Sequence, residues 1–289
     1  MPNNAAVEKV IARVGDLPAM PAMVAQVLRL TDDPTTAMSE VSAALETDPA
    51  MTAKILRVSN SSYYGMKQFV GTLKLALVIL GVREVRNIVL GISVFESVKG
   101  KDNDAALAQE VWDRSLMVAG LSKRMGRDMA LGLQGEEFIA GLLSDIGKMV
   151  LLRQLGGEYK RLLDEHHLNP LALCAVELQE LGYTHADVAT ALAHKWNLPQ
   201  PLSDALWCQY ANPDRPLSGA RDPKLAALVR IAKAAVYDDF ASTAVLNSLD
   251  SVEAWDILAL AKTPVPQEQR LAYLTRCVKE LETAPQLPM

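Results

Sequence analysis

The sequence predicts an all-α protein of two packed helical lobes, and three observations carry that prediction. Half of the residues are apolar but only 5% are aromatic, and the Leu, Ala, Val and Met that dominate suit helices better than sheets. Apolar residues recur every three to four positions in nearly every segment between turn signals, with no convincing alternating strand. A polar break at Gly100-Lys101-Asp102-Asn103-Asp104 sets a first lobe of residues 1–100 apart from a second of 101–212. An extension, 213–289, is expected to add further helices packed on the second lobe. A chain of 289 residues is long enough to bury a substantial core.

The elements follow in order. Pro18 and Pro21 bracket the entry to a helix running to about Leu30, which Asp32-Asp33-Pro34 ends. A helix from about Met38 to Glu46 comes next. Asp48-Pro49 then supplies an N-cap followed by proline in the first turn, and that helix runs to about Ser59. Tyr63-Tyr64-Gly65 opens a loop. Gly81 separates two helices, Leu73 to Leu80 and Val82 to Val98. The second lobe begins with a long helix from about Ala105 to Met129, followed by one continuous helix from Gly135 to Gln154. Shorter helices follow at Glu158–His166, Pro170–Leu181, His185–Trp196 and Pro201–Tyr210, then a turn-rich linker from Asn212 to Pro223.

Composition excludes several classes. A formal net charge of −5 argues against a protein that coats nucleic acid by bulk electrostatics. The three cysteines, Cys174, Cys208 and Cys277, are widely separated and form no CxxC pair, so they read as free thiols of a reducing compartment. The first fifteen residues lack the apolar stretch of a signal peptide, and no uncharged apolar run reaches membrane-spanning length. A cytoplasmic protein with no cofactor and no membrane partner is expected.

Two charges interrupt apolar stripes. Leu107, Val111, Arg114, Val118, Leu121 and Met125 are spaced 4, 3, 4, 3, 4 along the long helix, and Phe138, Leu142, Asp145, Met149 and Leu152 are spaced 4, 3, 4, 3 along the next. A lone buried carboxylate costs several kcal/mol unless it is paired. Arg114 is therefore expected to pair with Asp145. The bland alternative sends each side chain separately to solvent.

These residues carry a family resemblance. Leu17-Pro18-Ala19-Met20-Pro21, the segment Asp48 to Ser61 with Tyr64-Gly65, the stretch Ala76 to Leu90, Trp112 to Leu116, Ala140 to Lys148 and His185 to Pro199 together resemble the HDOD family, the HD-related output domains of bacterial signalling proteins. The resemblance spans about Leu17 to Tyr210. It implies a second lobe with an HD-like helical core, a degenerate relative of HD-type metal phosphohydrolases. Catalytic HD proteins hold metal with a histidine on one helix, a His-Asp pair on the next and a later aspartate. Here the first histidine aligns with Arg114, and the pair has become Ser144-Asp145. Gln209-Tyr210 stands where some relatives carry two histidines. A serine hydroxyl does not replace an imidazole as a transition-metal ligand. The resemblance thus implies remnants of a metal site at Arg114, Ser144, Asp145, His185 and Gln209, with neither catalytic nor metal-binding residues. It also implies a non-catalytic regulatory module that binds protein partners in a bacterial signalling pathway. Because the resemblance begins near Leu17, the expected input is a separate protein or a small-molecule ligand in the inter-lobe cleft.

Two rivals remain in view. A metal-dependent phosphohydrolase would need Asp145, His185 and Asp187 to form a non-standard site. A DNA-binding regulator would use residues 38–60 as a helix-turn-helix presenting Lys54, Arg57 and Asn60, against the plainer reading of a helical hairpin in an acidic chain. With Tyr63, Tyr64, Arg83 and Arg86, these three make up the expected interaction surface. The Met-rich first lobe (Met20, Met23, Met38, Met51, Met66) is where a partner groove is expected. His185 is read as a core or capping histidine, His194 and the His166-His167 pair as surface residues, and Lys123, Arg124 and Arg127 as a solvated cluster.

Overall fold

A computed structural model describes residues 11–12, 17–20, 22–32, 36–60, 64, 68–98, 105–133, 135–166, 170–210, 212, 214–237 and 249–282. The described residues hold helices and no strand, and no helix among them is long and apolar enough to cross a membrane. The break at 100–104, Tyr63, Gly65, Met66 and His167 lie outside the described residues.

The first lobe contains α1 (Ala22–Asp32), α2 (Met38–Glu46), α3 (Pro49–Ser59), α4 (Leu73–Leu80) and α5 (Val82–Val98). Asp48 caps α3 as the sequence predicts, its carboxylate accepting the Met51 amide at 3.0 Å, and Thr72 caps α4 by accepting the Leu75 amide. Asn60 ends α3 and holds the following loop. Its Nδ2 donates to the Leu56 and Val70 carbonyls, and its Oδ1 accepts the Val70 amide at 2.7 Å. Three bonds from one side chain to backbone make Asn60→Ala a destabilising change of about 1–3 kcal/mol, to be read as a lowered urea midpoint. A midpoint equal to wild type would refute the role.

The second lobe is built on α6 (Ala105–Asp128), with α7 (Glu136–Leu143) and α8 (Ile146–Leu155) buried at its centre. Then come α9 (Gly157–His166), α10 (Pro170–Glu180), α11 (His185–Lys195) and α12 (Gln200–Trp207). Beyond the linker, α13 (Pro223–Tyr237) packs on α6, α7 and α12. Helix α14 (Leu249–Leu258) lies on α13, and α15 (Arg270–Glu282) returns to α6. The first lobe meets this core through α5, which touches α7 and α8.

One expectation is overturned here. The stretch from Gly135 to Gln154 is two helices, broken at Ser144-Asp145. The Ser144 amide bonds back to Gly141, and the Lys148 amide takes the Asp145 carbonyl rather than that of Ser144. The Ser144 carbonyl is thereby released from the helical ladder and turned to a tertiary partner. Periodicity counts apolar positions and is blind to a break that keeps them in phase.

Candidate functional site

The break places Asp145 at the N-terminus of α8, wholly buried. Two lysines converge on it. Lys148, three residues on, approaches Oδ1 at 2.9 Å. Lys233, near the end of α13, lies 2.8 Å from the same oxygen. One turn further on, Tyr237 donates its hydroxyl to Oδ2 at 2.6 Å, and the Lys148 ammonium sits 4.1 Å above its ring centre. Lys233 also donates to the freed Ser144 carbonyl at 3.0 Å and makes a short bond to Gln209 Oε1. Its ammonium thus lies among three oxygens in a closed interior.

A second layer adjoins it. His185, the first residue of α11, is wholly buried. Its Nδ1 lies 2.8 Å from Glu177 and its Nε2 2.6 Å from the Tyr210 hydroxyl. Glu177 also accepts the His185 amide and the Tyr159 hydroxyl. Burial holds the imidazole below its ordinary pKa despite the adjacent carboxylate. A neutral ring with the proton on Nδ1 then donates to Glu177 and accepts from Tyr210, satisfying all three groups.

The electrostatics are balanced within the interior. Burial alone would raise the Asp145 carboxyl, but Lys148 and Lys233 hold it far below the usual range. Burial pulls Lys233 down from 10.5 to about 8, and Asp145 opposes the drop. Two carboxylates (Asp145, Glu177), two ammonium groups and one neutral imidazole sum to zero, which is how buried charges are accommodated.

This arrangement bears on the metal implied by the HD resemblance. Zinc or iron sites require several anionic or neutral donors facing one point. Here Asp145 Oδ1 already faces two ammonium groups within 3 Å, and a divalent ion at that oxygen would meet two positive charges. The residues present do not fit a metal at Asp145. Cys174, Glu177 and His185 place donor atoms within 4.8 Å of one another, yet the Glu177 and His185 donors are committed to the bonds above. Burial also pushes the Cys174 thiol well above its ordinary value, and so keeps it protonated.

The Arg114–Asp145 pair is not formed. Arg114 bonds Glu110, four residues back, at 3.2 Å, and its guanidinium lies 5.2 Å from the centre of the Tyr237 ring. Its side chain is about a quarter exposed, so it needs no buried partner, and Asp145 already has two cations. The idea that a side-chain cation neutralises Asp145 holds, but lysines supply it. Ser144 contributes its carbonyl, while its hydroxyl is buried without a partner. His185 and Gln209 do join the centre. Lys233 escaped the sequence reading although the same signal marks it: Ala226, Val229, Lys233 and Val236 are spaced 3, 4, 3 and all are buried, with the lysine as the odd charge.

The expected interaction surface is dispersed. Tyr64 is buried, its ring 5.3 Å from that of Phe138 and beneath the Lys123 ammonium at 3.6 Å. Asn60 is occupied with the backbone bonds described above, and Lys54 contacts Glu96. Arg86 is half-buried, while Arg57 and Arg83 are exposed. Met51, Ile55 and Val58 of α3 are buried, so this face of the helix packs on the first lobe. His194 is half-buried rather than on the surface. Lys123 is drawn from the solvated cluster into a 2.5 Å contact with Glu84.

Comparison with known proteins agrees with this fold. The HDOD domain family matches residues 17–212. A Treponema pallidum (strain Nichols) protein of uncharacterised role is 24% identical over 211 residues, covering 71% of this chain. The chain covers 39% of that protein's own length. An HDOD domain protein of unknown function from Geobacter sulfurreducens superposes with a TM-score of 0.74 at 20% identity, over 96% of this chain and 95% of its own. A candidate phosphohydrolase from Shewanella amazonensis SB2B gives 0.68 at 25% identity, over 96% and 98%. A candidate signal transduction protein from Marinobacter aquaeolei VT8 gives 0.66 at 20% identity, over 96% of this chain and 63% of its own. With the family match covering well over half of the chain and the helical fold shared, this protein belongs to the HDOD domain family.

Proposed function

We propose that this protein is a non-catalytic regulatory module of bacterial signal transduction, working in the cytoplasm through contacts with other proteins. The observation that carries this reading is the Lys233 ammonium, held by Asp145, the Ser144 carbonyl and Gln209. It fills with a fixed cation the position where a hydrolytic relative would need an exchangeable one. A metal hydrolase needs an open coordination position for water, and this centre is closed and already neutral. The protein-binding part draws support from the first lobe. Leu75, Val78 and Ile79 share one exposed face of α4, and Phe69 just before it is 80% exposed. An apolar face of this kind is more useful covered by a partner than left in water.

The test is turnover by the purified full chain on bis-p-nitrophenyl phosphate and p-nitrophenyl phosphate with manganese, magnesium, iron or zinc supplied. No metal-dependent hydrolysis above the rate of an Asp145→Ala variant is expected. Hydrolysis that Asp145→Ala abolishes would establish the phosphohydrolase reading instead.

A further inference from the structure

Helix α4 (Leu73–Leu80) is apolar on every side. Lys74 is its one polar residue, and a helix hydrophobic all round belongs in an interior. The fold covers half of it. Leu73, Ala76 and Leu77 are buried against α2, α3 and α5. On the opposite face, Val78 and Ile79 stand three and four residues on from Leu75, the spacing of neighbours on a helix surface. Leu75, Val78 and Ile79 are 37%, 64% and 44% exposed. Phe69 extends that face at the N-terminal end. It is 80% exposed, and its ring lies over Gly71, where an added Cβ would meet it at 3.6 Å. Thr72, next to that glycine, caps α4.

Area and charge both point to a second copy as the cover. The four side chains leave on the order of 400 Å² of apolar surface in water, at about 150–250 Å² for a whole aromatic and somewhat less for an aliphatic chain. Two copies face to face would cover on the order of 800 Å² of it. Apolar groups make up about 56–65% of interface area, so the whole contact comes to about 1,200–1,400 Å². That lies inside the roughly 1,200–2,000 Å² of specific, stable interfaces. The single cation selects the arrangement. In two antiparallel copies of α4, Lys74 in the first turn lies beside the last turn of the other helix, whose unpaired carbonyls and negative dipole end favour a cation. Two parallel copies would instead set Lys74 beside Lys74. Helix α4 carries no carboxylate, so it offers an unlike protein little of the charge complementarity that sets specificity.

We propose, resting on the protein-binding part of the function above, that this face pairs two copies of the chain about a two-fold axis. The two α4 helices run antiparallel, with Leu75, Val78 and Ile79 at the centre and Phe69 at either end. In a contact of this symmetry the same patch serves both subunits, so every substitution acts twice.

The experiment is sedimentation equilibrium of the full chain from about 1 to 100 µM. The mass is expected to rise from that of one chain to that of two, with a Kd of about 10 µM or tighter. Val78→Lys sets a charge at the centre of the face. The position is exposed, so the urea midpoint stays at the wild-type value, while pairing weakens at least roughly tenfold. Lys74→Glu leaves the apolar face intact and puts an anion beside the carbonyl end of the other helix, which is expected to weaken pairing roughly threefold or more. A monomer at every concentration would overturn the pairing and leave the face to an unlike protein, with the hydrolysis test of the proposed function untouched. Self-association that Val78→Lys does not weaken would place the contact elsewhere and overturn it too. So would association that Lys74→Glu leaves equal or tightens, because the helices would then not be antiparallel.

Discussion

Asp145→Asn is expected to destabilise the fold by about 3–5 kcal/mol, the cost of removing one partner from a buried charge pair. The substitution preserves shape and removes the one anion that two buried ammonium groups share. A stranded lysine escapes by releasing its proton. Doing so at pH 7 costs about 5 kcal/mol for a group that ordinarily titrates near 10.5, which caps the penalty. Arg114→Ala, remote from the carboxylate, is expected to cost under about 1 kcal/mol, as other exposed pairs do. Adding Lys233→Met to Asp145→Asn should cost at least about 1 kcal/mol less than the sum of the single changes. Urea unfolding of wild type and the four variants, Lys233→Met alone included, checks all of this, and an Asp145→Asn variant as stable as wild type would sink the account.

The same centre sets a pH dependence. The folded Asp145 carboxyl titrates far below the 3.8 of an ordinary aspartate. In acid the unfolded chain therefore takes up a proton that the folded chain refuses. The stabilisation from Asp145 is complete above about pH 5 and declines as pH falls through the unfolded value toward the folded one. Asp145→Asn should flatten that part of the acid limb. An acid limb of the same slope in both proteins would count against the buried pair.

Gly147→Ala is the second large effect, and its sign depends on the level of description. Helix propensity alone favours alanine inside a helix by about 1 kcal/mol. In the fold, α8 crosses α11 at this glycine, and an added Cβ would lie 1.9 Å from the His185 carbonyl oxygen and 2.7 Å from its carbon. Both are backbone atoms at the start of a helix whose side chain holds Glu177 and Tyr210, so no rotamer change relieves the clash. A loss of about 3 kcal/mol or more is expected, the upper range for overpacking. Spectra of the His185 ring should also change, because α11 must move. A variant that melts above wild type would refute the contact. Gly141, whose added Cβ would lie 2.7 Å from Ala119 Cα, marks the same kind of approach between α6 and α7.

Local rules accounted for the elements whose ends carry their own chemistry. The Asp48-Pro49 start of α3, Gly81 between α4 and α5, and the start of α11 at His185 were all legible because capping and backbone restriction act within a few residues. The buried faces of α6, α7 and α11 were legible from spacing. The choice of partner for Asp145 was not. Periodicity flagged Arg114 and Asp145 as charges that must be settled, but it assigns no distance between helices. Arg114 had Glu110 within reach on its own helix, and Lys233 lies 88 residues beyond Asp145.

The amino-acid sequence by itself determined the helical class, most helix limits, the family, and the fact that a carboxylate would be buried and need a cation. Those follow from interactions along the chain and from the cost of removing charge from water, which any fold must meet. Only the tertiary structure decided which cation answers Asp145, that α7 and α8 part at Ser144 to free a carbonyl, and which face of the apolar α4 lies open to water. Those depend on where distant segments come to rest, and a pair's energy falls off within a few ångströms of contact.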